Sequence, residues 1–315
     1  MEETRSDMDY RSWSDVEQVR AHLAAGVDPN EPSRFGEPPI FAAAETGTPE
    51  AVAELVARVA DVDAICNGHT ALWAAVFHGK PGNARVLVEA GADPYRPMMA
   101  GWSPAKLSLA GPTPDLFPQG DAALSPEEAA AVARSHDVIA ALESIDDDGH
   151  SIACVAGVTA AEAMRRLGGT LVTEEEMEPV LDDPFEYWFD DEWEWVFGVT
   201  DVPGGCVIMQ PFGFRSSDPG LLKKVSEGTR CYAMFANPKS GNQGACAVDG
   251  EIVDWDTHPG YAEPFEDDTT EDNLPKFLYH GHAEAFCCGY AGLHLTDDRA
   301  VVGPPDFWMR IPPTE

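Results

Sequence analysis

One block of residues recurs three times near the start of the chain, at a spacing of 32 to 33 positions. The copies begin Gly36-Glu37-Pro38-Pro39-Ile40-Phe41-Ala42-Ala43, Gly68-His69-Thr70-Ala71-Leu72-Trp73-Ala74-Ala75 and Gly101-Trp102-Ser103-Pro104-Ala105-Lys106-Leu107-Ser108. A period of this length marks a solenoid. No single unit buries its apolar side alone, so neighbours must stack. The first two copies are followed by amphipathic stretches. Val52, Leu55, Val56 and Val59 share one face of residues 51–59, and residues 84–94 repeat the pattern and stop at Gly91. Residues 16–30 supply the second helix of an earlier unit, so Asp28, Asp61 and Asp93 mark one place in three units. Gly91 sits where a helix C-cap requires positive φ. The middle unit lacks the glycine, and its cap is weaker.

Thr70, Leu72 and Ala75, Ser103-Pro104 and Pro39-Ile40 fall on matching positions of one pattern. Over residues 13–111, and to about 145 with a last interrupted unit, the chain resembles the ankyrin repeat. The resemblance implies an all-α solenoid of three to four units with projecting hairpin loops, and it implies protein binding. One position departs from the family. Phe41, Trp73 and Lys106 stand where the family has His, so its hydrogen bond to the neighbouring turn must be lost or made otherwise. The last unit is broken by Pro112, Pro114 and Pro118. A helix then starts at Ser125-Pro126-Glu127-Glu128, with Ser125 as N-cap and Glu128 as the box acid, and runs to about Ser144. It reads as the delayed second helix of a capping unit, with a plain linker helix as the alternative.

The rest of the chain has a different pattern. Thr159 caps a helix that Gly168-Gly169 stops. Residues 195–199 and 206–210 read as strands around a Gly-rich turn, and 221–226 as a short helix. Residues 229–235 read as a strand, and 245–248 and 251–255 as a hairpin about Asp249-Gly250. A helix near 283–292 and a polar, Pro-rich tail follow. Hairpin-linked strands with helices at the two ends predict an α+β domain with an antiparallel sheet. The expected organisation is a repeat domain at 1–145, an acidic linker at 146–154 and an α+β domain at 155–315. The motifs Gly157-Val158-Thr159, Arg165-Arg166-Leu167-Gly168, Gln210-Pro211-Phe212-Gly213 and Asp254-Trp255-Asp256 are similar to those of an actinobacterial domain family of unknown function, over about 155–311. That resemblance implies no activity.

Composition narrows the function. With 55 Asp and Glu against 20 Lys and Arg, the net charge is −35. A field of that sign repels nucleic acid and anionic lipid and attracts basic partners. Solubility alone is the plainer account. No stretch is apolar enough for a membrane helix, the start is polar and acidic, and the seven cysteines form no Cys-x-x-Cys. A cytoplasmic chain with reduced thiols is expected, from a high-GC bacterial genome by its Ala, Gly, Pro and Arg usage.

No catalytic residue, cofactor or metal site is expected. His280, His282, Cys287, Cys288 and His294 have poor zinc spacing, and Asp254, Asp256, Asp267 and Asp268 lack the other marks of a calcium loop. The reading is a non-catalytic protein-interaction module, of an immunity or regulatory kind, that binds a basic partner. In the array, contact is expected from Phe35, Phe41, His69, Trp73, Phe77, Tyr95, Trp102 and Lys106. A second candidate surface lies in residues 174–194, where eleven acids alternate with aromatics. Its named residues are Glu186, Tyr187, Trp188, Asp190, Asp191 and Glu192. For both sets the competing reading is that the aromatics are core and the acids a solvated face. The alternative function is an enzyme or small-ligand-binding α+β domain targeted by an ankyrin arm.

Overall fold

A computed structural model describes residues 13–32, 36–118, 122–145, 149–183, 187, 193–237, 239–265 and 267–314. The chain divides into two compact units. One is Met1–Ala130 with Glu263–Leu278, and the other is Ala131–Ala262 with Tyr279–Glu315.

The first unit is built from short helices: α1 (Val16–Ala24), α2 (Pro39–Thr46), α3 (Pro49–Val56), α4 (Ala71–Phe77), α5 (Pro81–Glu89) and α6 (Pro104–Ala110). Thr48, Thr70 and Ser103 cap α3, α4 and α6 by accepting from backbone N–H groups three residues on. Proline at the first turn of α2, α3, α5 and α6 pre-sets φ where no N–H is needed. α2, α4 and α6 pack side by side in one row, and α1, α3 and α5 in another. Alanines at 42–44, 74 and 75 are buried and let the inner row approach closely.

Polar groups stitch repeat to repeat. The buried Asn83 amide reaches the carbonyls of Ala43 (3.1 Å), Ala44 (3.0 Å) and Gly47 (3.0 Å) at the end of α2. Asn30 Oδ1 accepts from the Ala60 N–H at 2.7 Å, and Asp63 Oδ1 from the Asp93 N–H at 3.1 Å. Gly26 and Gly91 take positive φ (84° and 104°). In the middle unit the Val59 N–H instead bonds to Leu55 O at 3.0 Å, so the turn closes without a left-handed residue. In the broken unit Phe117 is buried and the Tyr95 hydroxyl donates to Pro118 O at 2.7 Å. α7 (Pro126–Leu142) opens with the reciprocal Ser125–Glu128 cap, at 3.1 and 2.8 Å. Its first turn is tied to α6 by Lys106 Nζ–Glu128 Oε1 at 2.7 Å, and from Ala131 onward it counts with the second unit.

The second unit carries an eight-stranded antiparallel sheet in the order β2-β8-β3-β4-β1-β5-β6-β7. The strands are β1 (Ser151–Ala156), β2 (Thr170–Val172), β3 (Val196–Val202), β4 (Gly205–Gln210), β5 (Arg230–Asn237), β6 (Gly241–Val248), β7 (Glu251–Thr257) and β8 (Phe307–Arg310). Ala153, Val155, Ile208 and Ala233 share a core with α8 (Ala160–Leu167) and α10 (Pro219–Val225), which follows α9 (Glu174–Asp182) in sequence. Opposite that face lies α12 (Ala283–Ala291), the next helix after α11 (Thr270–Leu278). There Tyr232 meets Phe286 at 5.3 Å and Tyr290 at 4.9 Å, and Cys154 Sγ lies 3.6 Å from Cys288 Sγ. Covered on both faces, β1 is buried at consecutive residues instead of alternating, so it carries no period-two signal. The Asp249-Gly250 turn has φ of 51° and 82°, as a two-residue hairpin of this hand requires.

Some elements depart from expectation. Part of the expected linker is β1. The Pro-rich tail contains β8, which pairs with both β2 and β3. Two acid-rich stretches contain α9 and α11. Among the described residues no helix is long and apolar enough to cross a membrane.

Candidate interaction surfaces

The inner row of the array presents a cluster of rings, and α11 covers it. Trp73 stacks on Phe77 at 5.1 Å and 18°. Phe277 of α11 closes over both and over Trp102, at 5.7, 6.3 and 5.3 Å between centroids. α11 starts because Thr269 Oγ1 accepts from the Asp272 N–H and Asp272 Oδ2 from the Thr269 N–H, both at 3.2 Å. Asn273 and Phe277, one helical turn apart, are buried. Lys276 Nζ folds back onto Asp268 Oδ2 (2.7 Å), Glu263 O (3.1 Å) and the Phe265 ring (5.3 Å).

The missing repeat histidine has a substitute here. Trp73 Nε1 donates to Trp102 O of the next repeat at 3.1 Å, so one indole makes a cross-repeat bond from that position. Phe41 has no donor to offer. Lys106 turns to Glu128 and lies 4.9 Å over the Trp102 ring. His69 sits between Phe41 (5.6 Å) and Trp73 (5.3 Å), where burial lowers its pKa.

Acidic groups gather at one end of this seat. Glu263 Oε1 is 3.8 Å from His78 Nε2. Burial and then Glu37 push the Glu263 carboxyl up to about 7, against the pull of Lys276. Burial and then Glu263 push Glu45 up to about 7 as well.

The expected contact residues therefore occupy different settings. Phe41, Trp73, Phe77 and Trp102 are all buried, and α11 covers the last three. Lys106 and His69 are half-buried. Tyr95 is exposed, with its hydroxyl bonded. Phe35, Glu186, Trp188, Asp190, Asp191 and Glu192 lie outside the described residues. Tyr187 is half-buried, 6.1 Å from Trp193. Sequence reasoning missed Phe277. It lies in no repeat and follows a run of acids and Pro275, and its only signal is the Thr269–Asp272 cap.

The second unit has a small cleft of ≈ 90 Å³, open to solvent, whose walls include Met177, Tyr187, Trp193, Phe212, Phe214 and Trp308. Its polar groups hold one another. Gln210 Nε2 donates to Glu194 O (2.9 Å), and Gln210 Oε1 accepts from the Arg215 N–H (3.0 Å). The Arg215 guanidinium bonds to Glu194 and lies 4.5 Å over Trp195 and 4.7 Å over Phe214. Phe214 and Trp255 also line a neighbouring hollow, and both are about half exposed.

Burial opposes thiolate formation at three thiols of the second unit. Burial pushes Cys206 up to about 12 and raises Cys231 and Cys287 further from the thiolate range. Among the described residues no three His, Cys, Asp or Glu side chains converge as a metal set. His150 Nε2 and Glu284 Oε1 are 3.2 Å apart and both largely buried.

Helix pairs in two stacked rows define the first unit as a repeat solenoid, and the second is an α+β domain on an antiparallel sheet. Residues 11–97 match the model for ankyrin repeats, in three copies. Residues 139–276 match a family of unknown function, DUF6461. The chain thus carries an ankyrin-repeat segment followed by a domain of that family. The second match begins within α7 and runs through most of α11. No curated protein matches the chain.

Proposed function

We propose that the chain is a non-catalytic protein-interaction module of the bacterial cytoplasm, immunity or regulatory in kind, which takes a basic protein segment on the inner face of its array. The observation that carries this reading is that the Trp73–Phe77–Trp102 surface holds a polypeptide helix, anchored by one aromatic side chain. Buried aromatic anchors ringed by polar groups supply most of the energy at protein interfaces. The basic character of the partner follows from Glu37 and Glu45 beside the seat and from the net charge of −35. In this reading Phe35, Phe41, His69, Tyr95 and Lys106 are further contacts. The 186–192 segment is a second contact for the same kind of partner. The repeat domain ends near residue 145 in this reading.

The test is capture by the immobilised full chain from the native cytoplasm. A basic protein should be retained at low salt and released at high salt. Retention that is unchanged in a folded Trp102→Ala chain would refute the site.

A second reading has its own observation. The aromatic cleft around Gln210 and Arg215 has the lining of a small-ligand pocket. Native mass spectrometry of the purified chain should then show a bound small molecule that Phe214→Ala loses.

A further inference from the structure

The segment that fills the array's seat is badly matched to it in charge. Residues 263–278 contain six acidic side chains and one lysine. That lysine is engaged within the segment, at Asp268 and at Glu263 O. Glu263 faces two acids of the first repeat, Glu37 and Glu45, with the Lys276 ammonium and the His78 ring beside it. The carboxyls of Glu45 and Glu263 are each raised in part by another carboxylate.

The helix is also weak in itself. α11 has nine residues and Pro275 inside it, which removes a backbone donor from a helix already too short to persist alone. Asn273 is fully buried, yet its Oδ1 has no partner among the described residues. Against these flaws stands the Phe277 ring among three aromatics, with Pro264 and Leu278 also buried. A good anchor on a poor body is the profile of an occupant that a better ligand can remove.

We propose that Glu263–Leu278 is a built-in competitor. It covers the array's inner face until a basic amphipathic helix displaces it, bearing an aromatic residue where Phe277 lies and a cation where Glu263 lies. This rests on reading the array as the binding surface. It adds the chemistry of the partner and a reason for the face to be closed at rest. An apparent affinity is reduced by the fraction of molecules in the closed state, so the segment sets a threshold for the partner.

The probes are two labelled synthetic peptides, one with the sequence of residues 263–278 and one with Glu263→Lys in it. The hosts are the full native chain and the full Phe277→Ala chain, read by fluorescence anisotropy. The Phe277→Ala chain should bind the Glu263→Lys peptide about ten-fold more tightly than the native chain does, because its own segment no longer competes. It should prefer that peptide over the native sequence by about three-fold at low salt. No binding to a folded Phe277→Ala chain, or equal affinity for the two hosts, overturns the proposal.

If Phe277→Ala does not fold, hydrogen exchange on the native chain decides. Amides of residues 271–278 exchanging about ten-fold faster than those of α4 support a displaceable segment. Exchange at the α4 rate makes the segment an integral part of the unit and overturns it. The two readings also fail separately. A cellular partner retained equally by native and Phe277→Ala chains refutes the competitor and leaves the binding reading standing. Peptide binding with no cellular protein retained does the reverse.

Discussion

The array and the sheet unit bury their cores by opposite strategies. In the array, bonds between repeats span 28 to 40 residues of sequence: Asn30 to Arg58, Asp63 to Asp93, Asn83 to Ala43. Each joins one repeat to its neighbour, so stability is a chain of nearest-neighbour contributions. In the sheet unit, β8 near residue 310 pairs with β2 and β3, and β1 lies between β4 and β5. Its core closes only when distant strands are all in place. The array therefore tolerates local opening, which is what a surface with an exchangeable occupant needs, while the sheet unit should open as a whole.

That contrast is most exposed to a pair of core substitutions. Phe197 in β3 is fully buried, and Phe197→Ala should cost about 3–5 kcal/mol, lost in one cooperative step across all eight strands. Trp73→Ala should cost a similar about 3–5 kcal/mol, because it removes the stacked ring and its bond to Trp102 O. Its damage should stay near α2, α4, α6 and α11. Peptide-resolved hydrogen exchange in urea separates the two patterns. If Trp73→Ala released the array and the sheet together, the comparison would fail.

A smaller effect tests the stitching between repeats. Asn83→Ala leaves the carbonyls at the end of α2 without their shared donor, and should cost about 1–3 kcal/mol. Faster exchange is expected in α2 and α5, with no change in β1 to β8. A loss confined to α5 would mean that the amide does not join the repeats.

The same contrast explains how far the sequence could be read. Repeats are legible because each unit states its own apolar pattern, and the Ser125–Glu128 box acts as its spacing predicts. The Asp249-Gly250 hairpin and the Thr159 cap were legible for the same local reason. β1 was not, since a strand covered on both faces has no alternation to detect. β2 and β8 have three and four residues, too few for any period. The seat occupant was hidden for a different reason. α11 is weak as a helix and is formed by docking, and docking to a distant repeat leaves no mark in nearby residues. Of the expected contacts, Trp73, Phe77 and Trp102 do converge on one surface, and the residue that joins them comes from elsewhere in the chain.

Turn chemistry offers a still smaller check on the sheet unit. Gly250→Ala places a side chain at φ 82°, at a cost of about 1 kcal/mol. A nearby Cβ contact is ordinary at 3.6 Å, so strain alone is tested. The second unit should lose that amount in chemical denaturation, with the array's exchange unaltered.

The mildest expected effect is pH dependence of the array's closed state. Undocked, Glu45 and Glu263 ionise near the ordinary 4.5; docked, both are raised to about 7 by burial and by neighbouring carboxylates. The docked form therefore holds more protons between these values. Docking should be strongest below about 4.5, weaken as pH rises, and level off above about 7. The groups facing Glu263 are Glu37, Glu45, Lys276 and His78, and a protonated His78 would act in the same direction. Glu263 is about half exposed, so water screens much of the repulsion and the change should be only a few-fold. After correction for intrinsic rates, exchange of residues 271–278 relative to α4 should rise from pH 5 to pH 8. Glu45→Gln should flatten that rise, since it removes one of the two raised groups and the charge facing the other. A native ratio that stays constant, or a rise that Glu45→Gln leaves intact, would mean that the segment's charge mismatch does not govern how the face opens.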